Sequence, residues 1–287
     1  MIIDAHAHLW KKQQGIVNGK TVYDIGGGKS DFGGEIRQMM PPYMTDGENT
    51  VERFLSNMDY AGVSGAVITQ EYIDGNQDDY LLTCKSPRIK ICALYEEKPL
   101  GDISGFDGIK ICAGRLKDKN LLNHFDCFQR AFDEGKFISI DLADGAEQTA
   151  MLEEIIKRLP QLRIAIGHFG MVTRENWQEQ IKLARYENVY IESGGITWLF
   201  NEEFYPYPSA VEAIKEAASL VGWHKLMWGS DYPRTMTAIT YKMSLDFIEK
   251  TREISEENKK LILGENAVNF YGFDPLPIPE KIKNMVE

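Results

Sequence analysis

The sequence predicts a (β/α)8 barrel, and three observations predict it. Short, nearly unbroken apolar runs recur along the chain, as in Ile164-Ala165-Ile166, the pattern of parallel strands buried on both faces. Segments with helical spacing separate these runs, and strand–helix alternation repeated eight times indicates a closed parallel barrel rather than an open sheet. The chain has 287 residues, 43% of them hydrophobic, which suits one barrel of about 250 residues with extensions. Residues 1–287 are therefore read as a single domain.

Strands are expected at Ile2–His6, Gly65–Thr69, Ile89–Leu94, Gly108–Cys112, Phe137–Asp141, Arg163–Gly167, Val189–Glu192 and Lys225–Gly229. Between them, Val51, Phe54, Leu55 and Met58 repeat at helical offsets, and Gly62 closes that helix. Leu121, Leu122, Phe125, Phe128 and Phe132 form a second stripe, ended by Gly135. Further helices are expected at 146–158, 173–185, 209–220 and 238–252, with one more after Ser255; residues 95–107 lack a helical pattern. Residues 11–49, rich in glycine and carrying Pro41-Pro42, read as a long loop inserted after the first strand. A segment in that place lies at the catalytic face of a barrel and would act as a lid. Pro275, Pro277 and Pro279 break the pattern in a tail over 274–287.

Composition narrows the function. The formal net charge is −11 and no Lys/Arg-rich run stands out, so nucleic acid is not an expected partner. No stretch approaches the roughly 20 apolar residues that span a bilayer, and the opening Met1-Ile2-Ile3-Asp4 lacks the basic start of a signal peptide. Cys84, Cys92, Cys112 and Cys127 include no CxxC pair, so a zinc knuckle or redox motif is not expected and reduced thiols are. A cytoplasmic protein acting on a small molecule fits these features, and self-association into a homo-oligomer is compatible with them.

The chemistry concentrates in three places. In Asp4-Ala5-His6-Ala7-His8, positions two apart on a strand share a face, so His6 and His8 converge at the end of the first strand. Two imidazoles at this spacing can grip a divalent metal; a hydrogen-bonded core pair is the alternative. The same alternation aims Asp4 inward one layer deeper, where it would orient a histidine. Gly167-His168-Phe169-Gly170 ends the sixth strand, and Trp228-Gly229-Ser230-Asp231-Tyr232-Pro233 ends the eighth. Barrel enzymes collect catalytic groups at these strand ends whatever their separation in sequence. His124 and His224 fall on a helix and a helix–strand turn and read as surface or packing residues.

These motifs resemble the amidohydrolase-related family, a branch of the amidohydrolase superfamily. The resemblance is carried by the opening IIDAHAHLW, the IGHFG of the sixth strand, the WGSDYP of the eighth and the closing GENAVNFYGF. It is closest to the lactonase-like branch, which includes sugar lactonases and a pyrone-dicarboxylate lactonase; other branches hold non-oxidative decarboxylases and hydratases. The resemblance implies a (β/α)8 hydrolase with His6 and His8 as the HxH pair. It implies Asp231 as metal ligand or general base, and His168 as a group that polarises the substrate carbonyl, shuttles a proton or joins the metal site. It also implies a divalent metal, zinc first among them, which some lactonase-like members do without. There is a departure: the family's metal-dependent decarboxylases usually present a histidine on the fifth strand, where this chain has Ile138-Ser139-Ile140-Asp141. Asp141 would ligate a hard cation there, or serve as a supporting or substrate-binding group.

The expected reaction is the opening of a sugar-acid or ring-cleavage lactone by activated water. The alternative is metal-dependent, non-oxidative decarboxylation of an aromatic or muconate-type acid. With a metal, a bound water loses its proton near neutral pH; without one, Asp231 would activate water directly while the histidines stabilise the oxyanion. Lys110, among the apolar residues of the fourth strand, would face the interior and bind a substrate carboxylate, or face the helices. Arg234 would hold an acidic or hydroxylated substrate, or pack its loop with Tyr232. Glu192, Trp10, Trp198, Phe200 and Gln70-Glu71-Tyr72 are further candidates for the pocket wall. Gly28-Lys29-Ser30 lacks the glycine and the strand–helix setting of a phosphate-binding loop, so nucleotide binding is rejected.

Overall fold

β1 (Ile3–His8) opens the chain and is buried along its whole length. The structure, a computed structural model, describes residues 1–280; the end of the expected tail, 281–287, lies outside the described residues. The next strands, β2 (Gln14–Val17), β3 (Lys20–Gly26), β4 (Lys29–Phe32) and β5 (Ile36–Gln38), form an antiparallel sheet of their own. The barrel resumes with β6 (Gly65–Thr69), β7 (Ile89–Leu94), β8 (Gly108–Ile111), β9 (Phe137–Ile140), β10 (Ile164–Ile166), β11 (Val189–Glu192) and β12 (Leu226–Met227). All barrel pairings are parallel and follow chain order. The ring closes between its first and last strands: Ala5 N–H donates to Trp228 O at 2.9 Å and Asp231 N–H to His6 O at 2.9 Å. This is the expected (β/α)8 barrel.

The eighth strand is shorter than the expected Lys225–Gly229. Lys225 ends a 3-10 turn, and Gly229 leaves the ladder because its N–H donates to Ser193 Oγ at 2.9 Å. Helices flank the strands: α1 (Val51–Ala61), α2 (Asp78–Leu81), α3 (Phe125–Asp133), α4 (Thr149–Arg158), α5 (Trp177–Lys182), α6 (Ile196–Leu199), α7 (Pro208–Val221) and α8 (Met243–Lys250). Gly62 ends α1 in the left-handed conformation, φ 78°. After Ser255, which caps α9 (Glu256–Lys260), the helix runs through a π-turn into α10 (Asn266–Tyr271).

Alternation along the strands sorts the core into two layers. Ile109, Ile111, Ile138, Ile140, Ile164, Ile166, Val189 and Ile191 pack outward against the helices. Ile3, Val67, Cys92, Phe137, Ala165 and Met227 fill the barrel interior, and Phe270, Tyr271 and Phe273 of the C-terminal segment join them. The residues between the outward isoleucines therefore face inward, which places Lys110, Ser139, Glu192 and the strand-end groups inside the ring.

The segment expected as a long inserted loop folds as the four-stranded sheet. Its inner positions Val22, Ser30 and Phe32 are buried, while Ile16, Tyr23, Ile25 and Ile36 on the same strands are exposed. Apolar residues on both faces and repeated glycines hide the period-two signal that would have marked it. The sheet docks on the loop after β6: Val22 and Phe32 pack against Ile73, and Gln14 N–H and Ile16 N–H donate to Asp74 O and Tyr72 O at 3.1 and 3.0 Å. Gly15 permits that approach, since a Cβ there would lie 2.1 Å from Tyr72 O.

Candidate active site

His6 and His8 converge as their spacing requires, with Nε2 atoms 3.1 Å apart. His8 Nε2 lies 2.9 Å from Asp231 Oδ1, and His6 Nε2 3.9 Å from the same oxygen. On the far side of its ring, His6 Nδ1 contacts Glu192 Oε1 at 2.6 Å. A carboxylate at that distance fixes the proton on Nδ1 and leaves the Nε2 lone pair facing His8 and Asp231. Burial, aided by Arg234, holds His8 well below the usual histidine range, so it is neutral.

Asp4 departs from expectation. The register shifts between Asp4 and Ala7, and parity does not carry across such a shift. The Asp4 carboxylate touches no imidazole. It accepts from Ser230 N–H and O–H at 2.8 and 2.6 Å and from the Tyr241 hydroxyl at 2.8 Å. It ties the first strand to the loop after the eighth. Burial raises its pKa to about 6 against the pull of those hydrogen bonds.

Asp141 follows β9 and stands between two cations. Lys110 Nζ lies 2.6 Å from Asp141 Oδ2, and His168 Nε2 lies 3.5 Å from the same atom. The Lys110 approach is off the hydrogen-bonding direction, and Asp141 Oδ1 has no partner. Burial opposes ionisation of all three groups, yet their mutual attraction prevails: Asp141 is held well below, and Lys110 above, its ordinary range. His168 is carried up to about 10, chiefly by Asp141 working against burial. His168 Nδ1 donates to Gly194 O at 2.7 Å, so both ring nitrogens suit the imidazolium.

Asp231 is ionised; burial opposes this, but His8 and Arg234 lower its pKa far below the carboxylate range. His168 and Asp231 both hold left-handed backbone, φ 54° and 57°, strain of a kind that clusters at functional sites. Two glycines make the space between the strand ends. A Cβ on Gly167 would lie 2.1 Å from Asp141 Oδ1, and one on Gly229 would lie 2.7 Å from His6 Cβ.

These groups open onto a cavity of about 700 Å³ lined by His8, Asp141, His168, Asp231, Arg234 and Trp198, together with Glu71, Cys112 and Arg115. Arg37, Gln38 and Met39 of the inserted sheet complete the wall. Lys110 is fully buried and is not part of the lining. Of the aromatic candidates, Trp198 lines the cavity. Trp10 and Tyr232 are buried elsewhere, Trp10 donating to Gly47 O and Tyr232 stacking on Phe54, and Phe200 packs on the outer core. Arg115, held by Glu71 at 2.8 Å, went unnoticed in the sequence because nothing marks a loop arginine as facing a cavity.

The donor set fits a divalent cation. His6, His8 and Asp231 offer ligand atoms within 4.8 Å of one another, and His6, Asp141 and His168 form a second such group around the shared His6. Two imidazoles with a carboxylate, one imidazole braced by a buried carboxylate, is the arrangement of an imidazole–carboxylate metal site.

The sequence matches the family described as Amidohydrolase over residues 3–273. A probable 2-pyrone-4,6-dicarboxylic acid hydrolase from Acinetobacter baumannii, with citric acid bound, matches at a TM-score of 0.67 and 19% identity, covering 95% of this chain and 99% of that one. An amidohydrolase from Burkholderia multivorans with bound zinc matches at 0.68 and 15% identity, covering 96% and 100%. At these identities the likeness shows the shared fold. Over 64 residues the chain is 38% identical to a 2-amino-3-carboxymuconate-6-semialdehyde decarboxylase of Dictyostelium discoideum, a match covering 22% of this chain and 17% of that protein.

Proposed function

The chain belongs to the amidohydrolase family, and from that premise we propose that it opens a small sugar-acid or ring-cleavage lactone by attack of activated water on the ring carbonyl. The observation that carries this reading is the opposed ionisation of Asp231 and His168 at one cavity mouth. Asp231 is held ionised and His168 protonated to about 10, and paired groups driven apart in this way divide into base and acid.

In this reading Asp231 takes a proton from water as the oxygen bonds to the carbonyl carbon. The His168 imidazolium donates to the carbonyl oxygen and stabilises its negative charge in the tetrahedral species. Collapse breaks the ring C–O bond, and the departing ring oxygen recovers the proton from Asp231. The product is a hydroxy acid, which releases one proton to solvent. Arg115 and Arg234 on the cavity wall suit a carboxylate or hydroxyl on the substrate, while Lys110 serves by keeping Asp141 ionised beside His168. His6, His8 and Asp231 would hold a divalent cation, which we assign as zinc from the imidazole and carboxylate donors. When bound, it acidifies water and polarises a carbonyl.

A second reading, non-oxidative decarboxylation of an aromatic or muconate-type acid, is favoured by the local match to the carboxymuconate-semialdehyde decarboxylase. A pH-stat screen of sugar and ring-cleavage lactones, with and without chelator, separates the two. Acid release lost in Asp231→Asn and His168→Ala supports the lactonase; carbon dioxide release from a carboxylic acid, with no lactone opened, overturns it.

A further inference from the structure

We infer that a buried polar relay, Ser30–Gln13–Asp74–Arg234, connects the inserted sheet to Asp231, and that Gln13 is a positioning residue for the site. The inference rests on the proposed role of Asp231 as a reacting or cation-holding carboxylate.

The contacts are continuous. The Ser30 hydroxyl, on β4, donates to Gln13 Oε1 at 2.5 Å. Gln13 Nε2 donates to Asp74 Oδ1 at 3.0 Å, and Arg234 Nη2 donates to Asp74 Oδ2 at 2.6 Å. The other end of that guanidinium, Nη1, stops 3.7 Å from Asp231 Oδ1. Ser30, Gln13, Asp74 and Asp231 are each at most 2% exposed. Packing alone does not explain such a chain, because apolar side chains of the same volume fill a core without the desolvation cost of a buried ion pair.

The geometry assigns each member a task. Asp74 is pulled in two directions, one oxygen toward Gln13 and the other toward Arg234. Arg234 Nε is buried without a partner, so Asp74 supplies the hydrogen bond that anchors the guanidinium. Anchored, Arg234 is held back from Asp231 and leaves that carboxylate to His8 and to whatever occupies the site. Without Gln13, Asp74 Oδ1 loses its donor and the carboxylate can turn. Arg234 is then free to close the remaining gap and neutralise Asp231 directly. Ser30 brings the inserted sheet into the circuit, since its hydroxyl reaches Gln13 while that sheet is docked on the loop that carries Asp74.

Zinc affinity, measured by competition with a chelating dye, tests this. Gln13→Leu is expected to weaken zinc binding about tenfold, the low end for partners acting behind the ligands. In an Arg234→Met background the same substitution is expected to change affinity less than twofold, because the competing guanidinium is gone. An equal loss in both backgrounds marks a merely structural role and overturns the relay, as does no loss in either. Ser30→Ala, which removes a single hydroxyl, is expected to give a smaller loss with the same dependence on Arg234, and it replaces Gln13→Leu if that variant does not fold. If the parent protein binds no zinc, the cation assignment fails, and crystal structures of the variants then judge the relay. Arg234 moved onto Asp231 supports it, and an unmoved Arg234 overturns it.

Discussion

His6 Nδ1 lies 2.6 Å from Glu192 Oε1, and both side chains are fully buried. The other oxygen of Glu192 accepts from Gly194 N–H at 2.6 Å. Glu192 thus fixes the tautomer of His6 from β11, the strand paired with the one that closes on β1, and with it the direction of the Nε2 lone pair. The groups that would hold the cation or touch substrate are oriented by others that do neither: Glu192 behind His6, Lys110 behind Asp141, Asp74 behind Arg234.

Glu192→Gln keeps the shape of the side chain but turns an amide N–H toward either His6 Nδ1 or Gly194 N–H, both donors. Divalent-cation affinity is expected to fall 10- to 100-fold, the range for partners that orient ligating histidines. Titration of the metal-free variant with zinc reads this directly, with circular dichroism confirming the fold. An affinity equal to the parent's would show that His6 does not need its carboxylate.

Lys110→Met leaves the Asp141 carboxylate buried beside only one cation. Breaking a buried pair from one side costs about 3–5 kcal/mol, read as a lower urea midpoint. Adding Asp141→Asn removes the stranded charge and is expected to restore most of that stability, since the two residues act as one unit. A double variant no more stable than Lys110→Met would mean that the loss comes from packing.

Much of this is legible in the sequence. His6, His8, His168 and Asp231 were identifiable because each follows or ends an apolar strand, and the barrel brings strand ends together regardless of sequence distance. Asp141 and Arg234 came from the same logic. Asp4 was misplaced by the register shift inside β1, since alternation counts residues and cannot see a bulge. The neighbours of Lys110 leave it open to the interior or to the helix layer, and its partner Asp141 follows the next strand, where cross-strand register is not written in either segment. The inserted sheet escaped notice because its strands are short, carry apolar residues on both faces and turn on glycines.

Gly15→Ala tests how that sheet is seated. The added methyl would lie 2.1 Å from Tyr72 O and 2.2 Å from Ile73 O, both backbone atoms that cannot step aside. Overpacking of this kind costs about 1–3 kcal/mol, and the cost falls on the docking of residues 14–38. Limited proteolysis is expected to cut the variant within 11–49 at protease levels that spare the parent. Equal resistance would mean that the sheet is held by contacts other than β2 against the 72–75 loop.

The last expectation concerns pH. In chelator-treated protein, His168 has a pKa of about 10 against about 6.5 in an unfolded chain. A group whose folded pKa is raised stabilises fully below its unfolded value and loses that contribution as pH climbs through its folded value. The urea midpoint should therefore decline between about pH 6.5 and 10, and His168→Gln should flatten that decline because glutamine does not titrate. Acid release from a lactone should hold up to about pH 9 and fall near 10, as the imidazolium that stabilises the oxyanion disappears. If activity instead rises as pH climbs through 6 to 7, His168 works as a neutral imidazole, and the division of labour with Asp231 is reversed.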